Sequence, residues 1–166
     1  MSSQSGVKCI VCGRGSSAAQ ALQRCAGCKA VHYCNREEQK QHWPDHKSLC
    51  KLLAESNEAG FAKRVLKEGD GTSFPKEGAK VTVHYVGTLL DGTEFDSSRR
   101  KERPFKFDLG QGQVIRGWDE GVATMSLGER SQLILHPSYG YGSSGVSIIP
   151  PNAYLVFDVE LLEFSE

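Results

Sequence analysis

The sequence predicts an α+β chain: mostly antiparallel strands around one short helix, preceded by a small cysteine-rich module. Three observations carry this. All six cysteines, at 9, 12, 25, 28, 34 and 50, fall in the first fifty residues. Beyond residue 60 several segments alternate apolar and polar side chains at the strand period. Between two of them lies Val114–Gly121, bounded by a glycine at its C-terminal end, and apolar residues at 114, 115, 118 and 122 have the spacing that lines one face of a helix. Two turns of helix are too few to stand alone, so a sheet must cover that face, with Trp118 pointing into the space between.

The bulk numbers agree with two small units. The chain has 166 residues, 39% of them hydrophobic and 24% charged, which is a globular composition. No apolar run reaches the ~20 residues of a membrane helix, and the first twenty residues lack the apolar core of a secretory signal. Net charge is zero, but residues 1–50 hold seven Lys/Arg against three Asp/Glu and residues 51–166 hold thirteen against seventeen, so +4 faces −4. The boundary falls in 51–60, where the chain reaches Ser56-Asn57-Glu58-Ala59-Gly60 and reads as a helix end followed by a linker.

In the first unit, Cys9-x2-Cys12 and Cys25-x2-Cys28 form two knuckles twelve residues apart, followed by Cys34, His46 and Cys50. A segment this short with few large apolar side chains cannot bury enough surface to fold unaided. Without a secretory signal the compartment is expected to be reducing, cytoplasmic or nuclear, so zinc rather than disulfides supplies the difference. Pro44 suits the first turn of a helix running to about Ala54, which places His46 and Cys50 four residues apart on one face. Cys34, Glu38 and His42 likewise share a face. His32 reads as a packing residue. The basic residues are scattered rather than clustered, so nucleic acid is not the expected partner.

In the second unit, Lys80–Leu90 alternates with Val81, Val83 and Tyr85 on one face. Asp91-Gly92 signals a tight turn, and Thr93-Glu94-Phe95 resumes extended chain. Phe105–Phe107, Glu129–Leu135 and Leu155–Leu161 are further strands, and Ser138–Pro151 is a long Gly/Ser/Pro loop. Nine rings from separate elements (Tyr85, Phe95, Phe105, Phe107, Trp118, Tyr139, Tyr141, Tyr154, Phe157) supply both a core and the walls of an apolar pocket. No Ser-His-Asp, Cys-His or paired-carboxylate pattern accompanies them, and Gly110-Gln111-Gly112 lacks the rest of a phosphate loop.

Two resemblances sharpen this reading. Cys9-x2-Cys12, Cys25-x2-Cys28, Tyr33-Cys34, Gln39-x3-Trp43-x2-His46-x3-Cys50 resembles the MYND zinc finger over residues 9–50. That family implies two cross-braced zinc sites: Cys25, Cys28, His46 and Cys50 in one, and Cys9, Cys12, Cys34 and position 38 in the other. Position 38 holds Glu38 where the family has cysteine, so three options stay open: ligation by Glu38, ligation by His42, or a weak site. The family also implies recruitment of proline-containing peptides of partner proteins.

Residues 61–166 resemble the FKBP-type peptidyl-prolyl isomerases through Val83-His84-Tyr85-x-Gly87, Phe95-Asp96-Ser97-Ser98, Pro104-Phe105-x-Phe107, Val114-Ile115-x-Gly117-Trp118, Tyr139-Gly140-Tyr141-Gly142, Ile149-Pro150-Pro151-Asn152 and Leu155-x-Phe157. The resemblance implies a five-stranded antiparallel sheet wrapped around the short helix and a pocket that receives a prolyl ring. Its floor would be Trp118 and its walls Tyr85, Phe95, Phe105, Val114, Ile115, Tyr141, Ile149 and Phe157, with Asp96 beside it. The Ile115 N–H and Tyr141 hydroxyl would donate to ligand. It implies prolyl cis-trans isomerisation without cofactor, binding of tacrolimus and rapamycin, and a monomer. Three positions depart from the family: Gln113 for glutamate, Lys101 for an arginine that pairs with Asp96, and a loop one residue shorter at Gly145–Ile148. An adaptor whose two units only bind proline-containing peptides is the alternative.

Overall fold

The computed structural model describes residues 7–17 and 20–166. Two short strands, β1 (Gln23–Arg24) and β2 (His32–Tyr33), pair antiparallel, and the Cys25–Cys28 knuckle is the turn between them. The Cys25 amide closes that turn on the Val31 carbonyl at 2.9 Å.

Helix α1 spans Arg36–Ala59. Asn35 caps it, its Oδ1 accepting from the Glu38 amide at 2.9 Å, and Glu37 and Glu38 place negative charge at the positive end of the helix dipole. Its extent corrects the expectation of a helix beginning near Pro44 and ending near Ala54. Pro44 lies inside, where it removes one N–H from the helix ladder and crowds the carbonyl one turn back. Leu52, Leu53 and Ser56 are buried, so tertiary packing carries the helix through the stretch that reads as a linker. It stops at Gly60, whose left-handed φ of 89° few other residues adopt, with its amide bonded to the Ser56 carbonyl at 2.8 Å.

The large sheet contains β3 (Phe61–Lys67), β4 (Lys80–Leu89), β5 (Glu94–Ser97), β6 (Phe105–Asp108), β7 (Arg130–Leu135) and β8 (Leu155–Ser165), with α2 (Arg116–Val122) between β6 and β7. The order is β3-β7-β8-β4, and every pairing is antiparallel. Along the free edge of β4, β6 pairs with residues 80–83 and β5 with residues 86–88, so two short strands fill one position. Five positions in the sheet are thus occupied by six strands. Gly121 lies within α2 rather than after it.

Strand alternation sorts side chains onto two faces. Leu133 and Leu135 of β7, with Leu155, Phe157, Val159 and Leu161 of β8, face the core shared with α2. Gly117 and Gly121 allow the close approach: a Cβ at Gly117 would sit 2.5 Å from Leu135 Cδ1. Ala62 of β3, Ile134 of β7 and Val156 of β8 point the other way and pack with Leu52 and Leu53 of α1, Tyr33, Val31 and Cys50. The cysteine-rich unit therefore shares a hydrophobic cluster with the back of the sheet. Each fully buried Leu or Ile in it contributes on the order of 2 kcal/mol.

Candidate active site and metal-binding clusters

A cavity of about 550 Å³ opens between α2, the concave face of the sheet and the loop before β8. It is lined by Tyr85, Phe95, Asp96, Phe105, Val114, Ile115, Trp118, Tyr141, Ile149 and Phe157, so all ten pocket residues named from the sequence meet at one surface. Gln113, Val146, Ser147 and Ile148 line it as well. Sequence reasoning noted those four only as family departures. The signal for two of them was two aliphatic residues, Val146 and Ile148, exposed in a polar loop.

Trp118 sits at the bottom, 4% exposed, because α2 turns its apolar face to the sheet. Tyr85 meets it edge to face at 4.8 Å between centroids, Phe157 at 5.3 Å and Phe105 at 5.8 Å. Phe107 stacks behind Phe105 at 5.7 Å and belongs to the core. Gly87 of β4 makes room for two rings, since a Cβ there would meet Phe95 at 2.7 Å and Phe157 at 2.8 Å. The edge-to-face angles suit aromatic quadrupoles and fix the ring positions.

Asp96 is the acceptor at the rim. Its Oδ2 accepts from the Tyr85 hydroxyl at 2.5 Å, and its Oδ1 accepts from Lys101 Nζ at 2.7 Å and the Ser97 amide at 2.9 Å. Burial alone would raise this carboxyl, but the hydrogen bonds from Lys101 and Tyr85 and the Lys101 charge outweigh it and hold it below the ordinary carboxylate range. Burial, then the Asp96 bond, pushes the Tyr85 hydroxyl well above its ordinary value. Asp96 is thus an ionised carboxylate with both oxygens engaged, positioned to hold Tyr85 rather than to move a proton. Lys101 makes a single point contact where an arginine would present a fork. Gln113 turns its amide back onto Asp108, donating from Nε2 at 3.0 Å and accepting from the Asp108 amide at 2.9 Å.

The cysteine-rich unit gathers two clusters, Cys25/Cys28/His46/Cys50 and Cys9/Cys12/Cys34/Glu38, with each set of ligand atoms within 4.8 Å. In the first, Cys25 Sγ lies 3.8 Å from Cys50 Sγ, and Cys28 Sγ lies 3.5 Å from His46 Nε2. Tetrahedral zinc, with bonds of about 2.3 Å to sulfur and about 2.05 Å to nitrogen, places its ligand atoms about 3.8 and 3.5 Å apart. This donor set fits the metal, and all four residues are buried. His46 Nδ1 has no hydrogen-bond partner among the described residues.

The second cluster is tighter: Cys12 and Cys34 sulfurs are 3.4 Å apart, and Cys9 Sγ lies 3.0 Å from Glu38 Oε2. That oxygen also accepts from the Cys34 amide at 3.2 Å. Cys12 is exposed. His42 is elsewhere, with its Nδ1 3.0 Å from the Tyr33 hydroxyl and its ring stacked on His46 at 5.8 Å.

Comparison with known proteins assigns a family to each of the two regions. Residues 71–162 match the FKBP-type peptidyl-prolyl cis-trans isomerase family, and residues 9–50 match the MYND finger. The chain is 64% identical over 96 residues to peptidyl-prolyl cis-trans isomerase Fkbp12 of Drosophila melanogaster, covering 57% of this chain and 89% of that one. It is 59% identical over 104 residues to FK506-binding protein 1 of Yarrowia lipolytica, covering 62% of this chain and 96% of that one. It is 56% identical over 104 residues to peptidyl-prolyl cis-trans isomerase FKBP1A of Xenopus laevis, with the same coverage. Fold and pocket thus define a prolyl isomerase. The chain belongs to the FKBP-type peptidyl-prolyl cis-trans isomerase family and carries a MYND finger N-terminal to the isomerase region.

Proposed function

We propose that the Trp118 pocket isomerises X-Pro bonds and binds tacrolimus and rapamycin, while the finger, holding two structural zinc ions, recruits proline-containing partners. The observation that carries the pocket reading is the set of edge-to-face rings around a buried Trp118. In this reading the prolyl ring lies on the Trp118 indole between Tyr85, Phe95, Phe105 and Phe157. Val114, Ile115 and Ile149 close the sides, and the Ile115 N–H and Tyr141 hydroxyl donate to the ligand.

The planar X-Pro amide carries charge separation between oxygen and nitrogen, and twisting the bond reduces it. Uncatalysed rotation takes tens to hundreds of seconds. An apolar cavity disfavours the planar ground state more than the twisted state, and fixed donors hold the twisted amide in place. No nucleophile or general base is required. Asp96, with both oxygens engaged, keeps Tyr85 in the wall.

For the metals, Cys25, Cys28, His46 and Cys50 would hold one zinc, and Cys9, Cys12, Cys34 and Glu38 a second, weaker one. Zinc here supplies folding energy, since ligand loops of this size do not order without it. Thiols held for zinc fit a reducing compartment, cytoplasm or nucleus. Val11 and Trp43 are exposed apolar side chains of the finger available to a partner peptide. Tethering such a partner raises the local concentration of its prolines at the pocket.

Asp96→Val and Phe157→Tyr test the pocket: each should lower isomerase turnover on a short X-Pro peptide with the fold intact. Unchanged turnover in both would overturn the site assignment.

A further inference from the structure

The last turn of α1 touches both stems of the loop that forms one wall of the pocket. At one stem, Asn57 Nδ2 donates to the Cys28 carbonyl at 2.6 Å, and the Tyr154 hydroxyl donates to Asn57 Oδ1 at 2.5 Å. At the other, the His136 amide donates to the Gly60 carbonyl at 2.9 Å. The Tyr139 ring there packs so closely on Gly60 that a Cβ would meet it at 2.1 Å. The two stems also meet each other, His136 and Tyr154 lying edge to face at 5.5 Å.

The loop between these stems contributes Tyr141, Val146, Ser147, Ile148 and Ile149 to the cavity. It is stiff where it leaves Ile149. Pro150 and Pro151 fix their φ angles, the Asn152 amide bonds to the Gly142 carbonyl at 2.8 Å, and Val146 bridges Ile149. A shift of Tyr154 is therefore carried to Ile149 rather than absorbed.

We propose that Asn57 is a positioning residue for the isomerase pocket: it ties Tyr154, and through it the Ile149 wall, to the Cys25–Cys28 knuckle. Ligand affinity at the pocket and zinc affinity at the Cys25/Cys28/His46/Cys50 site are thereby linked. This rests on the pocket and zinc readings given above. An asparagine amide suits the task because it donates to the knuckle and accepts from the tyrosine at once. Besides its packing on α1 and the sheet, the knuckle is held by a two-residue ladder and by its ligands, so gathering the ligands fixes where its Cys28 carbonyl sits. The Drosophila and Yarrowia relatives are matched over 89% and 96% of their own lengths, which leaves no room for such a finger and hence none for this link.

Linkage is reciprocal: whatever factor zinc contributes to ligand affinity, ligand must return to zinc affinity. The test uses the zinc-loaded full chain, with rapamycin affinity read by calorimetry and zinc retention read against a competing chelator, with and without saturating rapamycin. Asn57→Ala is expected to weaken rapamycin about fivefold, and rapamycin to tighten zinc in the wild type by about the same factor but not in the variant. Tyr154→Phe removes one hydroxyl and should reproduce the loss even where Asn57→Ala disturbs folding. Zinc retention indifferent to rapamycin in the wild type overturns the link, whether or not the variants bind rapamycin more weakly. Failure of rapamycin to bind the wild type overturns the pocket reading and the link with it, whereas binding that ignores Asn57, Tyr154 and zinc overturns the link alone.

Discussion

Tyr85 donates to Asp96 across 2.5 Å while its ring stands edge to face on Trp118 at 4.8 Å, so one side chain joins the rim carboxylate to the pocket floor. Tyr85→Phe keeps the ring and leaves Asp96 with Lys101 and Ser97. Asp96→Val instead strands the Tyr85 hydroxyl in an apolar wall, at a cost of about 1–3 kcal/mol. Tyr85→Phe should therefore lower kcat/KM about threefold and Asp96→Val about tenfold or more. The reverse order in a peptide assay would contradict this division of roles. Because Asp96 ionises below the ordinary range and no proton moves, kcat/KM should be flat from about pH 6 to 8 rather than bell-shaped.

Glu38 offers oxygen where the other cluster offers sulfur or imidazole, and its spacing to Cys9 is tighter than tetrahedral zinc sets. Glu38→Ala should reduce bound zinc from about two per chain to about one, as measured by elemental analysis, with the isomerase region still folded. Glu38→Cys should instead hold the second zinc more tightly against a chelator. Equal retention in all three chains would remove Glu38 from the ligand set.

Glu129 is a buried carboxylate, satisfied by Lys63 Nζ at 2.8 Å, Ser131 Oγ at 2.6 Å and the Ser126 amide at 2.9 Å. Burial alone would raise its carboxyl, but the Lys63 and Ser131 hydrogen bonds hold it below the ordinary range. Its contribution is therefore complete above the unfolded value of about 4.3 and is lost as pH falls through the lower folded value. Glu129→Ala should cost about 3 kcal/mol at neutral pH by denaturant unfolding, because it strips Lys63 of its counter-charge, leaving only the Thr124 carbonyl at 2.7 Å, and orphans the buried Ser126 amide. Glu129→Gln should shrink the acid-side loss of stability relative to wild type, and identical pH profiles would contradict the assignment.

Gly60 combines a left-handed φ with the Tyr139 ring against its Cα. Gly60→Ala places a methyl in both the forbidden backbone region and the ring, so it should lower stability by about 2 kcal/mol. Arg116, 4.3 Å over the Tyr139 ring, should report the displacement as a shifted side-chain resonance. A variant as stable as wild type would mean the helix end and the loop stem pack loosely.

The sheet around α2 was legible because alternation in 80–90, 129–135 and 155–161 and the helical spacing at 114–122 are each strong and local. Strand β3 was not. Phe61-Ala62-Lys63-Arg64-Val65-Leu66-Lys67 has no clean period, since its near end is at least half-buried on both faces and its far end is exposed on both. The length of α1 was hidden by Pro44 and by Ser56-Asn57-Glu58-Ala59-Gly60, whose composition reads as a linker until Leu52, Leu53 and Ser56 are seen packed on the sheet. The contact of His42 with the Tyr33 hydroxyl has no local signal either, because Tyr33 comes from another element. Asn57 carries no local signal, because both its partners are distant in sequence.

The most direct test of the pocket is the rate of cis-trans exchange in a short X-Pro peptide with catalytic amounts of the full chain, measured with and without rapamycin. Acceleration that stoichiometric rapamycin abolishes is the expected result. A chain that binds no rapamycin and leaves the exchange at its uncatalysed rate would contradict the account and make the fold a binding adaptor.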